Sequence, residues 1–232
     1  IAIDGYGSVS TAGTVDLFGW STDKPNYKLG IHKDRGNISG NFVDWGSDAD
    51  VQKGIGTVWR TLTGGDNGEW NYLLNTRSVT YRYCMATVKS VTGLVIFPDG
   101  YSHPLDRSVN SPNNPSAAYT TNSWSEDEWT QMEAAGAVFL PAAGYSYTNL
   151  ASRAGEYGYY WSSTSGSTQY KARDLLFYSG RVNPADDSDR CRACAVRLVQ
   201  ELAQDADKVT MTPGATVNTW SLTMPAYNVE LI

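Results

Sequence analysis

The stretch "YYWSSTSGSTQYKARDLLFYSGRVNPADDSDRCRACAVRLVQ", Tyr159 to Gln200, carries the densest β signal in the chain, and the rest is read outward from it. Aromatic and branched residues come in short runs separated by Ser, Gly, Asn and Asp, the pattern of three strands with polar links. Inside it, "ARDLLFYSGRV" (Ala172–Val182) alternates, and successive side chains of a strand point to opposite faces. Leu175 and Phe177 share one parity and form a regular buried stripe. Asp174, Leu176 and Tyr178 share the other, with Arg181 beyond a Ser179-Gly180 break. An acid, an aliphatic, an aromatic and a base have no common core chemistry, so this second parity is expected to lie exposed.

Upstream, two helices are expected. In "WRTLTGGDNGEWNYLLNTR" (59–77), Asp66 is the expected N-cap with Glu69 three residues on, and Trp70, Leu73 and Leu74 then share one face. In "SEDEWTQMEAAG" (125–136), Ser125 caps, Glu128 completes the capping box, Trp129 and Met132 face inward, and Gly136 ends the helix. Between them, "YRYCMATVKSVTGLVIFPDGY" (81–101) reads as two strands closed by a Pro-Asp-Gly turn, and 102–123, with three prolines, reads as a loop. "AVFLPAAGY" (137–145) is a short buried strand. Residues 1–58 read as loops with short strands. After Gln200 the texture turns Thr/Val-rich and alternating, which divides the chain into a domain over 1–200 and a small β-rich tail or the start of a stalk over 201–232.

Composition narrows the function classes. The chain has 232 residues, 41% of them hydrophobic, enough for one large domain. Its net charge of −6 argues against nucleic acid as partner, because phosphate binding needs a clustered cationic face. No apolar run approaches the roughly 18 residues needed for a transmembrane segment. The abrupt polar start, "IAIDGYGSVS", suggests a processed form of a longer precursor, and a lipoprotein whose N-terminus is absent fits that. Cys84, Cys191 and Cys194 are an odd set without a disulfide framework, and with only two isolated histidines they make no metal site. No cofactor and no metal are expected. The acidic clusters "DWGSDAD" (44–50) and "PADDSD" (184–189) offer hard oxygen ligands of the kind calcium takes, but acidic loops are usually solvated. No catalytic residues emerge either. His32 and His103 have no nucleophile motif beside them, and "GSVSTAG" (7–13) lacks the strand-to-helix context of a nucleophile elbow. What stands out is 8 Trp and 15 Tyr against 5 Phe, the bias of a loop-rich binding protein.

The ordered series "WRTLTGGDNGEWNYLLNTR", "GLVIFPDGY", "FLPAAGY", "GYYWSST", "LLFYSGRVNP" and "CAVRLV" resembles the major paralogous domain of Fibrobacter succinogenes type, found in surface proteins of Bacteroidetes and Fibrobacter. The resemblance spans about residues 14–200. It implies an α+β, C-type-lectin-like fold, with two helices around a twisted antiparallel sheet, similar to formylglycine-generating enzymes and to the variable proteins of diversity-generating retroelements. In the latter, adenine-directed mutagenesis of AAC and AAT codons yields residues such as Asn, Asp, Ser, Tyr, Cys, Arg, Leu and Ala, never Lys, Glu, Gln, Met or Trp. Asp174, Leu176, Tyr178, Arg181, Ala185, Asp186, Asp187, Ser188, Asp189, Cys191, Arg192 and Cys194 all belong to the accessible set, whereas Gln169 and Lys171 do not.

The resemblance and the alternation together lead to an expected extracellular or cell-surface ligand-binding protein, receptor- or adhesin-like and not an enzyme, whose partner is a protein or glycan on a cell or phage. Tyr160, Tyr170 and Tyr178 would be aromatic anchors, Arg181 and Arg192 the polar reach, and Asp174, Asp186, Asp187 and Asp189 the charge selectors. The competing readings are an invariant adhesion or pilus-like structural domain and an oxidase of the formylglycine-generating kind. The last would need Cys191 and Cys194 as a pair, at a spacing that splays them across a strand. The calcium-chelating triplets of sugar-binding C-type lectins are missing from the sequence.

Overall fold

In the computed structural model the described residues are 59–147, 150–168, 171–189 and 192–201, with three tail strands at 210–213, 220–223 and 229–230. The readings of residues 1–58, including the acidic cluster at 44–50, and those of Tyr170 and Cys191 lie outside them. Strands dominate and helices are few, an α+β architecture.

Short helices here follow from local capping. Ser125 caps the helix Glu126–Ala134 (α2), and both halves of the capping box form: the Glu128 backbone N–H donates to Ser125 Oγ, and the Glu128 carboxylate accepts from the Ser125 N–H. Gly136 follows with φ +88°, a conformation that stops a helix at little cost only in glycine. The earlier helix differs from the sequence expectation. Its α-helical part is only Glu69–Asn71 (α1), continued by a π-turn at Tyr72–Thr76, and its N-cap is Gly68, not Asp66. The first-turn amide of Glu69 finds its acceptor six residues upstream, on Thr63 Oγ1, while the Glu69 carboxylate accepts from the Thr63 N–H and from both terminal nitrogens of Arg60. Trp70, Leu73 and Leu74 are buried as the spacing predicts.

Two sheets organise the core. One has the order β4–β2–β3–β5, from Ser123–Trp124 (β4), Tyr83–Val88 (β2), Val91–Ile96 (β3) and Val138–Pro141 (β5). Its odd-numbered β2 residues Tyr83 and Met85, with Leu94, Ile96 and Leu140, face the main core, while Cys84, Ala86, Val95 and Phe97 face α2 through Trp129 and Met132. Burial on both faces explains why "YCMATV" and "GLVI" read as nearly continuous apolar runs. The second sheet has the order β10–β9–β8, from Tyr157–Ser165 (β8), Lys171–Tyr178 (β9) and Arg181–Asp189 (β10), all antiparallel. Its inner parity, Tyr160, Leu175 and Phe177, closes the main core against the first sheet together with Trp70 and Leu74.

The expected three strands of 159–200 are thus β8, β9 and β10, followed by two short ones, Ala193–Cys194 (β11) and Leu198–Glu201 (β12). β11 pairs with Tyr145–Tyr147 (β6), which also pairs with Leu150–Ser152 (β7). β12 pairs with Trp59–Thr61 (β1) on one side and with Val229–Glu230 (β15) on the other, so it runs across the expected boundary at 200/201 with partners from both sides. Thr210–Pro213 (β13) and Trp220–Thr223 (β14) form a separate antiparallel pair.

Candidate functional site

The β9–β10 hairpin turns through Ser179-Gly180, where φ at Gly180 is +108°. From that turn, register fixes which side chains share the outer face of the second sheet. Tyr178 pairs with Tyr157 and Arg181, Leu176 with Tyr159 and Asn183, and Asp174 with Trp161 and Asp186. A bulge between Asn183 and Asp186 absorbs Pro184 and Ala185, so both polar residues stay on this face. Proline suits a bulge because it has no N–H to give a ladder.

Asp174, Leu176, Tyr178 and Arg181 therefore share a face, as the alternation requires, but they are not equally exposed. Arg181 is exposed at the turn and Tyr178 is half-buried, while Leu176 is 7% exposed and Asp174 is 0% exposed. The expectation that this whole parity lies open is corrected for Asp174 and Leu176. The cause is a second layer: Tyr159, Trp161, Leu176, Ala172 and Cys194 form a small apolar cluster on this side, flanked by Tyr145, Tyr157, Tyr178 and Val196. Cys194 is part of that cluster and buried, not displayed. Tyr160 is corrected as well. It lies on the opposite parity, buried in the main core, where its hydroxyl donates to the Pro141 carbonyl at 2.9 Å.

The other expected contact residues divide in the same way. Asp186 and Arg192 are half-buried on the outer face. Ala185 sits in the bulge, its carbonyl accepting from Arg173 at 3.0 Å. Ser188 is buried beneath the face and donates to Asp174 Oδ2 at 3.2 Å. Asp187 and Asp189 pair with Arg173 and Lys171 and so take the other parity, where Asp187 accepts from Ser167 and lies 3.8 Å from the Lys171 ammonium. Asp189 is buried. The acidic run "PADDSD" is thereby split between two faces by strand geometry, and among the described residues no group of three His, Cys, Asp or Glu side chains is placed to hold a metal ion.

Three tyrosines complete the face that the sequence reading passed over. Tyr145 and Tyr159 meet edge to face at 5.2 Å, Tyr157 and Tyr178 pack at 4.5 Å, and Tyr157 stacks on Tyr159 at 6.1 Å. The signal lay in "YGYYW": Gly158 shares the parity of Tyr160, and a glycine within a strand marks close approach of another group. Here that group is the Phe177 ring, 2.0 Å from where a Cβ on Gly158 would stand. The parity with the glycine is the packed one, and Tyr157 and Tyr159 are on the other.

The electrostatics converge at the base of the face. The Arg192 guanidinium lies 4.7 Å from the Tyr145 ring centre and 5.9 Å from that of Tyr159. Asn183 donates to Asp186 Oδ1 at 2.8 Å, and Arg181 lies 3.8 Å from the same oxygen. Asp174 has one oxygen on Ser188 and the other, Oδ1, buried without a hydrogen-bond partner among the described residues. Burial first, and the Asp186 carboxylate second, push its carboxyl up to about 8. Burial likewise pushes the Tyr159 phenol up to about 12, with Arg192 opposing. In the other sheet, burial pushes the Cys84 thiol up, so it is held as a neutral thiol.

What these elements define is an α+β domain dominated by antiparallel sheet, with an aromatic and charged outer face on its second sheet. The profile of a family described as a domain of unknown function, DUF8237, matches residues 72–199, more than half of the chain, and the chain belongs to that family. The matched region runs from the π-turn after α1 into β12 and includes the whole outer face. No curated protein and no solved structure matches the chain.

Proposed function

We propose that this chain is an extracellular ligand-binding protein, receptor- or adhesin-like, that recognises a protein or glycan through the outer face of β8, β9 and β10 on a C-type-lectin-like scaffold. The observation that carries the reading is the composition of that face. Half-buried tyrosines, two arginines, an asparagine and a carboxylate are gathered on one side of a sheet whose other side is fixed in the main core. Tyrosine and arginine give large contact area and directed hydrogen bonds for little loss of side-chain freedom, and a packed inner parity holds them in place before the ligand arrives.

Retroelement diversification, as the resemblance suggests it, narrows on this face to positions that solvent reaches: Tyr178, Arg181, Asp186 and Arg192. Free variation at Leu176 or Cys194 would open cavities or bury unpaired polar groups, each a cost of about 1–5 kcal/mol. A near-copy of the coding segment beside a reverse transcriptase, differing at adenines in those four codons, separates a diversified face from an invariant one.

The binding reading is tested by probing glycan arrays and intact bacterial cells with the purified chain and with Tyr178→Ala and Arg181→Ala. Asp127→Ala, on the exposed side of α2, serves as the control. Both face variants are expected to weaken binding at least tenfold and the control to leave it unchanged. Binding that survives both face variants, or no binding by the folded wild-type chain, overturns the reading.

A further inference from the structure

The outer face holds two groups that attract each other through space but share no hydrogen bond or ion pair among the described residues. Asp174 presents a fully buried, unpartnered Oδ1 at the base of the face, beside the Asp186 carboxylate on the neighbouring strand. Two carboxylates directly opposite on adjacent strands repel, which helps keep Asp174 protonated in the free protein, and a cation between them would favour the ionised pair. Arg192 supplies a guanidinium on the same side, held against two rings and drawn by the Asp174 charge without a hydrogen bond to it. It packs on Tyr145 and Tyr159, whose planes meet at 82° and form two walls of a corner. Among the described residues its guanidinium makes no hydrogen bond and no ion pair, while its backbone N–H donates to the Asp189 carbonyl at 3.0 Å. A guanidinium needs five acceptors in its plane, and a buried carboxyl oxygen needs a donor. Among the described residues neither the Arg192 guanidinium nor Asp174 Oδ1 has a hydrogen-bond partner, although both groups face the same aromatic corner.

We propose that this corner is a recognition site for a guanidinium group carried by the ligand, which enters between the Tyr145 and Tyr159 rings, hydrogen-bonds the Asp174 and Asp186 carboxylates, and displaces Arg192, the internal group that fills its place in the free protein. The proposal rests on the ligand-binding reading and names the chemistry of its ligand. The rings select a flat cation by their quadrupoles, and the paired carboxylates select a forked donor over a point charge. The side chains that face the corner are Asp174, Asp186 and Ser188 from the sheet, Tyr159, Tyr145 from β6, and Arg192 itself, with Arg181 against Asp186 at the rim. Asp174 holds its proton to about pH 8 when the site is empty, so a guanidinium that takes its ionised form expels that proton.

The test uses two probes, N-acetyl-arginine methylamide and its neutral near-isostere N-acetyl-citrulline methylamide, titrated calorimetrically into the wild-type chain, Arg192→Ala, and Arg192→Ala combined with Asp174→Asn. With Arg192 removed, the arginine probe is expected to bind at least tenfold more tightly than to wild type and the citrulline probe not to bind. Near pH 7, buffers of different ionisation enthalpy should report release of about one proton, lost in the double variant. Equal binding of both probes, or no gain on removing Arg192, overturns the proposal. Should Arg192→Ala fail to fold, recovery of its circular dichroism in millimolar arginine probe, but not citrulline probe, supports the site, and no recovery counts against it. If the probes fail while Tyr178→Ala still abolishes binding to arrays or cells, the guanidinium assignment falls and the binding face stands.

Discussion

Replacing Asp174 by asparagine should stabilise the protein, by an amount set by pH. In the folded chain the carboxyl titrates at about 8, against 3.8 in the absence of the fold, with burial the main cause and Asp186 the second. Below about pH 4 both folded and unfolded chains carry the proton, and the group leaves stability unchanged. From there to about pH 8 the unfolded chain has released a proton that the native chain keeps, so native stability falls by roughly 1.4 kcal/mol per pH unit. Above about pH 8 both states are ionised and the loss is complete. At pH 7 the accumulated penalty is about 4 kcal/mol, and at pH 5 about 2. Asparagine is neutral in both states, keeps an acceptor for Ser188, and turns an amide toward Asp186, so it removes the pH-dependent part of the penalty. The assay is urea denaturation of both chains between about pH 4.5 and 7.5, comparing midpoints at constant slope. Groups elsewhere cancel in the difference. A stability difference that stays flat across that range shows that the Asp174 carboxyl is not held protonated, and the account of the buried acid fails.

Three further substitutions test the packing that positions the face. Gly158→Ala sets a Cβ against the Phe177 ring, 2.0 Å from its nearest carbon, and should cost about 1–3 kcal/mol in thermal or denaturant unfolding; a neutral result would show that Phe177 is free to move off the core parity. The β2–β3 turn places Lys89 and Ser90 at φ +49° and +66°, so Ser90→Gly should raise stability by about 1 kcal/mol, and a loss would mean that the turn is not left-handed there. Asn122 is buried and donates to the carbonyls of Met85 and Asn110 while accepting from the Asn110 N–H. Asn122→Ala leaves those groups unpaired, so it should cost about 2–4 kcal/mol and speed amide exchange in the 102–123 loop.

Which features were legible depended on how local their causes are. The α2 helix was fully readable, because Ser125 and Glu128 satisfy its first amides from within four residues. The α1 start was misplaced, because its acceptor is Thr63 and its carboxylate is held by Arg60, neither of which a capping window around Asp66 reaches. The loop 102–123 was legible as a loop but not as an ordered one. Its anchors, Asn113 on the Arg82 and Tyr83 amides and Asn122 on Met85, span about thirty residues or more of chain. In β9 the parity was right and the exposure wrong. Alternation shows which residues share a face, but it does not show whether a second layer lies over that face. The covering residues, Tyr145, Cys194 and Val196, come from segments that pairing brings in from both sides of the chain.

That covering layer gives the face a gradient, and the gradient bears on what the face does. At the turn, Arg181 and Tyr178 meet solvent, and substitutions there touch little of the core. Two ladder positions inward stands Asp174, a residue that weakens the fold at neutral pH and whose Oδ1 meets no partner among the described residues. Asparagine, serine or alanine would fit a purely structural position of this kind at lower cost. A rule broken in one place, with the local pattern consistent around it, marks strain spent on function more often than on architecture. The same contrast separates Asp174 from Asp187, which has the same side chain one ladder step away but is satisfied by Ser167 and Lys171 on the other parity. Asp187 is thus accounted for by the fold. Asp174 is not: Ser188 reaches only its Oδ2, Arg192 in the tyrosine corner attracts its charge without a hydrogen bond, and Oδ1 stays unpartnered among the described residues.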